Sequence, residues 1–155
     1  MSYENVKKYF EDLELGERVK VLEQSSATVQ LAAEAVGCEV KQIAKTLSFL
    51  AGDLPILIVA AGNAKIDNQK YKATFLQKSK MIPGELVEEY VGHDPGGVCP
   101  FAVRPNVAIY LDVSLKQNEV VFSAAGSENS VVELTIEELE RHSAFKDWVD
   151  VCKEV

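Results

Sequence analysis

From Tyr3 to Leu13 the apolar side chains fall at Val6, Tyr9, Phe10 and Leu13, the spacing of a helix with one buried face. Gly16 follows as its stop. "RVKVLE" alternates and predicts a strand. "SSATVQLAAEAVG" predicts a helix capped by Ser25 or Ser26 and ended by Gly37. From Ile43 to Leu50 the chain reads as a strand, Ala51-Gly52-Asp53 as a turn, and "LPILIVAAG" as a buried strand, so the two form a hairpin. Asp67 then caps a short helix, "NQKYKATFLQ". "SKMIP" is a brief extended piece, and "GELVEEYVG" is another short helix.

"NVAIYLDVSL" predicts a strand, and "EVVFSAAG" with "SVVELT" a second hairpin. Thr135 and Glu138 have the spacing of a capping box for a last helix, "IEELERHS". The C-terminal "FKDWVDVCKEV" is expected to pack Phe145, Trp148 and Val149 onto the core. Hairpins interleaved with helices predict one α+β domain over residues 1–155 rather than a βαβ repeat.

Composition narrows the function classes. Hydrophobic residues make up 47% of the 155, and no apolar run reaches the roughly 20 residues of a membrane helix. The acidic, amphipathic N-terminal stretch does not read as a signal peptide. Cys38, Cys99 and Cys152 have neither C-x-x-C nor zinc spacing. The expectation is therefore a reduced, cytoplasmic protein with no metal, no cofactor and no membrane partner. The net charge of −8 argues against a general nucleic-acid binder, and no DNA partner is expected. The charge is uneven, however: residues 41–104 carry 8 basic and 6 acidic side chains and form the only basic third. Such a stretch is either a chance excess of exposed lysines or a local site for a phosphate-bearing ligand.

The candidate chemistry sits in "VGHDPGGVCPFAV", Val91 to Val103. His93 and Cys99 there allow a thiolate nucleophile beside a base. The two histidines, His93 and His142, with no cluster around them, offer little to a metal. Gly96-Gly97, stiffened by Pro95 and Pro100, allows backbone N–H groups to be aimed at a carbonyl oxygen or a phosphate. Its bland alternative is a tight turn. Lys45, inside the apolar strand "QIAKTLSFL", is either a side chain snorkelling to solvent or a cation placed to meet an anionic substrate.

"IAKTLSF", "GGVCPFA" and "FSAAGSENSVVEL" occur in this order, and the chain resembles the YbaK-type and prolyl-tRNA-synthetase-associated editing domains from the "SSATVQLAAEAVG" helix to the "IEELERH" helix. In that family a lysine of a K-T-[LV] strand faces a Gly-x-x-x-Pro loop, and a small-small-Gly hairpin closes the pocket. These features fall on Lys45-Thr46, Gly96 to Pro100, and Ala124-Ala125-Gly126. The resemblance implies a mixed-sheet, barrel-like α+β fold with surrounding helices. It also implies a deacylase, acting in trans, that hydrolyses the ester between a wrong small amino acid (cysteine, alanine or proline) and tRNA, with proline tRNA as the expected carrier. Lys45 and the backbone of Gly96, Gly97, Val98 and Cys99 are the implied catalytic groups. Thr46, His93, Pro100, Phe101, Ala125 and Gly126 are the implied substrate-binding groups. The implied partners are the tRNA acceptor end and a synthetase.

The other reading of the same resemblance is an inactive member that binds tRNA, a nucleotide or a synthetase. Cys99 stands where many members carry serine, which puts a polar contact, and with it the amino-acid preference, in question. A valine at Gly97 is expected to harm catalysis more than folding.

Overall fold

The computed structural model describes residues 2–154; Met1 and Val155, at the ends of the N- and C-terminal stretches read above, lie outside the described residues. Helix α1 (Ser2–Asp12) buries Val6 and Phe10. It does not run on to Gly16. Glu14 takes the left-handed conformation, with φ 63°, and the Leu15 N–H folds back to the Phe10 carbonyl at 2.8 Å. Gly16 instead opens a short 3₁₀ turn before β1 (Val19–Val21).

Helix α2 (Val29–Val36) is capped by Thr28, whose hydroxyl accepts from the Leu31 N–H at 3.2 Å. The expected caps do other work, because the hydroxyls of Ser25 and Ser26 both bond the Glu128 carbonyl. Gly37 ends the helix as predicted, at φ 81°.

The predicted central hairpin is present. β2 (Ile43–Ala51) pairs antiparallel with β3 (Leu54–Ala61) along its length. Ile56, Ile58 and Ala60 of β3 join one core cluster and Leu57 and Val59 join two others. Burial on both faces accounts for an unbroken apolar run. A short strand β4 (Ala64–Ile66) follows, and Asp67 caps α3 (Asn68–Phe75) through the N–H groups of Gln69 and Lys70. Helix α4 spans Gly84–Val91.

Strand β5 (Ala108–Asp112) is shorter than its sequence suggests. The buried Asp112 carboxylate accepts from the N–H groups of Ser114 and Val151, both at 2.9 Å. It thereby turns Val113–Gln117 into a 3₁₀ helix. The second hairpin is β6 (Val120–Ala124) with β7 (Ser130–Thr135), and the Thr135–Glu138 capping box opens α5 (Ile136–His142). The C-terminal segment does more than pack Phe145, Trp148 and Val149 inward. It adds β8 (Asp147–Val149) beside β5 and β9 (Cys152–Glu154) beside β4.

The main sheet runs β1-β7-β6-β2-β3-β5-β8, with parallel and antiparallel pairs mixed, and with the five helices it makes an α+β fold. One junction in it positions the site. β2 pairs in parallel with β6 only at Ile43↔Phe122 and Ala44↔Ser123. Beyond that point β6 leaves toward Ala125, while β2 continues with β3 on its other side. The sheet opens there.

Candidate active site

The opening between β2 and β6 is a cavity of about 110 Å³. Ile43 to Thr46 of β2 line one side, Pro95, Gly96 and Val98 another, and the start of α2 and Phe122, Ala124 and Val131 the rest. The structure therefore brings Lys45 and Thr46 to the same cavity as Gly96 and Val98, although about fifty residues separate them in sequence.

Lys45 is half-buried, and its ammonium donates to the Ala64 carbonyl. Burial lowers its pKa, and the neighbouring Cys152 opposes that shift. It makes no ion pair among the described residues. A half-buried cation without a counter-ion is costly unless something anionic meets it, and Lys45 is the one cation among the residues that line the cavity.

The loop is held from behind. Its Gly97 N–H donates to the Asp94 carbonyl at 2.9 Å, and the Gly97 carbonyl accepts from the Gly126 N–H at 3.1 Å. A Cβ at Gly97 would overlap the backbone of Gly126 and Ser127. Gly97 is thus needed for close packing of loop on hairpin, and its N–H is already engaged. The Val98 N–H, in contrast, makes no hydrogen bond among the described residues, and Val98 lines the cavity.

The remaining predicted residues sit behind the loop rather than in the cavity. His93 is fully buried. Its Nε2–H donates to the Phe101 carbonyl at 2.7 Å, and its Nδ1 accepts from the Ser2 hydroxyl at 2.7 Å. This tautomer follows because a carbonyl can only accept. Burial lowers the His93 pKa. Phe101 stacks edge-on to Phe10, with centroids 4.8 Å apart. Pro100 and Ala125 are buried, and Gly126 lies against the backbone of Ser2 and Tyr3.

Cys99 is also fully buried, with Sγ 3.5 Å from His93 Nε2, and burial pushes its thiol up to about 12. A thiol so far from ionisation beside an imidazole already donating elsewhere is a poor nucleophile. Its side chain also lies away from the cavity, so the exchange for serine does not change the cavity lining. Among the described residues no three His, Cys, Asp or Glu side chains converge as a metal site, and no helix is long and apolar enough to cross a membrane.

Sequence reasoning missed the far wall: Ala27, Thr28, Val29 and Ala32 at the start of α2, with Phe122 and Val131. Nothing local marks these residues. Phe122 and Val131 reach the cavity through the long-range pairing of β6 with β2 and β7, and the start of α2 is tied there by the bonds of Ser25 and Ser26 to the Glu128 carbonyl.

A mixed α+β sheet that opens beside a lysine strand and a glycine-proline loop is the architecture expected of an editing domain. The match of residues 23–142 to the family model for the aminoacyl-tRNA editing domain establishes that the chain belongs to that family. It is 49% identical over 155 residues to YwhH of Bacillus subtilis (strain 168), an uncharacterized protein, covering 99% of both chains. It is 31% identical over 113 residues to the proline–tRNA ligase of Limosilactobacillus fermentum, matching 66% of this chain but only 20% of that enzyme. A solved structure described as "a putative trans-editing enzyme for prolyl tRNA synthetase" superposes with a TM-score of 0.87 at 28% identity, covering 98% of this chain and 97% of that one.

Proposed function

We propose that the chain is a cytoplasmic, trans-acting deacylase that removes a wrongly attached small amino acid (cysteine, alanine or proline) from tRNA, with proline tRNA as the first candidate. The observation that carries this reading is the shared cavity. Lys45, a cation without a counter-ion, stands on one wall, and the Val98 N–H, without a hydrogen-bond partner, stands on another.

Ester hydrolysis needs both kinds of group. Water adds to the ester carbonyl, charge collects on its oxygen, the C–O bond to the ribose breaks, and the ribose oxygen takes the proton. Backbone donors from Gly96 and Val98 stabilise the developing oxyanion. Lys45 holds the phosphate or ribose of the terminal adenosine. The family resemblance implies that a ribose hydroxyl of the tRNA orients the water, so no side-chain nucleophile is required.

The tRNA has a matching surface. Lys65, Lys72, Lys78 and Lys80 are exposed and make no ion pair among the described residues. Lys72 and Lys78 flank a cleft of about 450 Å³ with Asn68, Gln69 and Ser79. A prolyl-tRNA synthetase is the second partner that the likeness to proline ligases supports.

The test is release of amino acid from proline tRNA charged in turn with alanine, cysteine and proline, with and without the synthetase. Cleavage of the alanyl or the cysteinyl ester by the chain alone, with the correctly matched prolyl ester left intact, is the expected result. Retained tRNA binding with no cleavage of any of them would make the chain a binding module instead.

A further inference from the structure

Thr46 lies where β2 has lost one neighbour and has not yet gained the next. Pairing with β6 ends at Ala44↔Ser123. The Lys80–Ile82 segment takes up the same edge further on, with Leu50 N–H donating to the Lys80 carbonyl at 2.8 Å and Ile82 N–H to the Ser48 carbonyl at 3.1 Å. Backbone polar groups alternate sides along a strand. Those of Ser48 and Leu50 point to this edge, so those of Thr46 do too. The register therefore leaves the N–H and C=O of Thr46 without a strand partner on this edge, no turn or loop bond among the described residues reaches them, and the buried hydroxyl has no partner either. Buried polar groups are nearly always paired. Here the hydroxyl is not, and the N–H and C=O of this partly buried residue face the cavity opposite Gly96 and Val98 without a strand partner.

A donor and an acceptor side by side on a strand edge fit one residue of another strand. An aminoacyl ester has that form: an α-ammonium donor and a carbonyl acceptor on either side of one α-carbon. We infer that the substrate's aminoacyl group docks on the Thr46 edge as one residue of added strand. Its α-ammonium donates to the Thr46 carbonyl, and its ester carbonyl oxygen accepts from the Thr46 N–H on one side and, as charge develops on it, from the Gly96–Val98 loop on the other. This rests on the deacylase reading for the identity of the ligand, and it adds what that reading lacks: a reason for the chain to require a free α-amine. Because the contacts are main-chain, they are independent of which small side chain the amino acid carries.

Two measurements test it. The first compares cleavage of alanyl-tRNA with propanoyl-tRNA, which keeps the ester and the methyl group but has only hydrogen where the ammonium was. A site built to pair a polar group rejects an analogue that lacks it strongly, so kcat/KM for propanoyl-tRNA is expected to fall by about a hundredfold or more. Equal rates on the two esters would overturn the inference. The second follows the Thr46 amide of the wild-type chain by NMR during titration with 3′-alanylamino-3′-deoxyadenosine, which cannot be hydrolysed as an ester. The Thr46 amide is expected to shift and gain protection from exchange with this probe, and not with the propanoyl analogue that lacks the amine. A Thr46 amide unmoved by the saturating probe would overturn the docking whatever the cleavage result. If Thr46 responds but no ester is cleaved, the docking stands and the deacylase reading fails.

Discussion

His93 closes the loop that it begins: its Nε2–H reaches the Phe101 carbonyl at 2.7 Å, eight residues on, while its Nδ1 is tied to Ser2 of α1. The segment between carries Gly96 and Val98 to the cavity, so the imidazole fixes the base from which those backbone groups project. Replacement by leucine leaves the buried Phe101 carbonyl with only the weak Cys99 thiol donor, at 3.8 Å, and is expected to cost about 1–3 kcal/mol. Glutamine, which keeps an N–H donor, should recover part of both stability and turnover. Melting curves and deacylation rates on the same preparations check this, and equal losses in the two variants would contradict it.

The same residue sets a pH dependence. Burial lowers its pKa in the folded chain, whereas the unfolded value is about 6.5. On acidification the unfolded chain therefore takes up this proton first. Stability is full above the unfolded value and is lost as pH falls through it toward the folded one. The melting temperature of the wild type should thus drop more between neutral and mildly acidic pH than that of His93→Gln. Parallel curves would show that His93 does not carry the effect.

Cys99→Ser should keep both the deacylation rate and the amino-acid preference, because the side chain lies away from the cavity and its thiol is pushed up to about 12. Loss of turnover in a protein that still melts cooperatively would restore the thiol as nucleophile.

Gly97→Ala should unfold the loop rather than disable the chemistry. The added methyl meets backbone of Gly126 and Ser127, which cannot move aside as a flexible side chain would, and overpacking of this kind costs about 3 kcal/mol or more. A normal melting temperature combined with lost activity would contradict this assignment.

Lys72→Glu with Lys78→Glu should raise KM for the charged tRNA without lowering kcat. It should also reduce the slope of log affinity against log salt by about one for each lysine that meets a phosphate. The control is Lys8→Glu with Lys146→Glu, which changes the net charge equally on exposed residues outside the cleft. The same KM and salt slope in both double variants would remove the cleft from the tRNA path.

Local chemistry made much of this fold legible. The β2–β3 hairpin, the Asp67 cap, the Gly37 stop and the Thr135–Glu138 box each depend on residues close in sequence, and each is present. Signals with near-equivalent neighbours were misassigned: Thr28 took the cap from Ser25 and Ser26 because both serines are held by Glu128. The short strands β4, β8 and β9 have three residues each, too few to show a period, and they exist because partners distant in sequence reach them. In the loop the sequence marked the right segment but not which atoms face the cavity. Gly96 and Val98 do, whereas Gly97, Cys99 and Phe101 pack behind them, a distinction made by Ser2, Phe10 and Gly126 from remote parts of the chain.

The central claim is that the cavity between Lys45 and the Gly96–Val98 loop cleaves aminoacyl esters of tRNA. Its most direct test is single-turnover deacylation by the wild type and by Lys45→Met, which keeps the stem and removes the charge. Burial works against the Lys45 ammonium, so the variant should fold with undiminished stability. It should nevertheless cleave at least about tenfold more slowly, the loss expected for a charge-assisted contact of about 1.5–3 kcal/mol. A Lys45→Met protein that melts like the wild type and releases the amino acid at the wild-type rate would contradict the account.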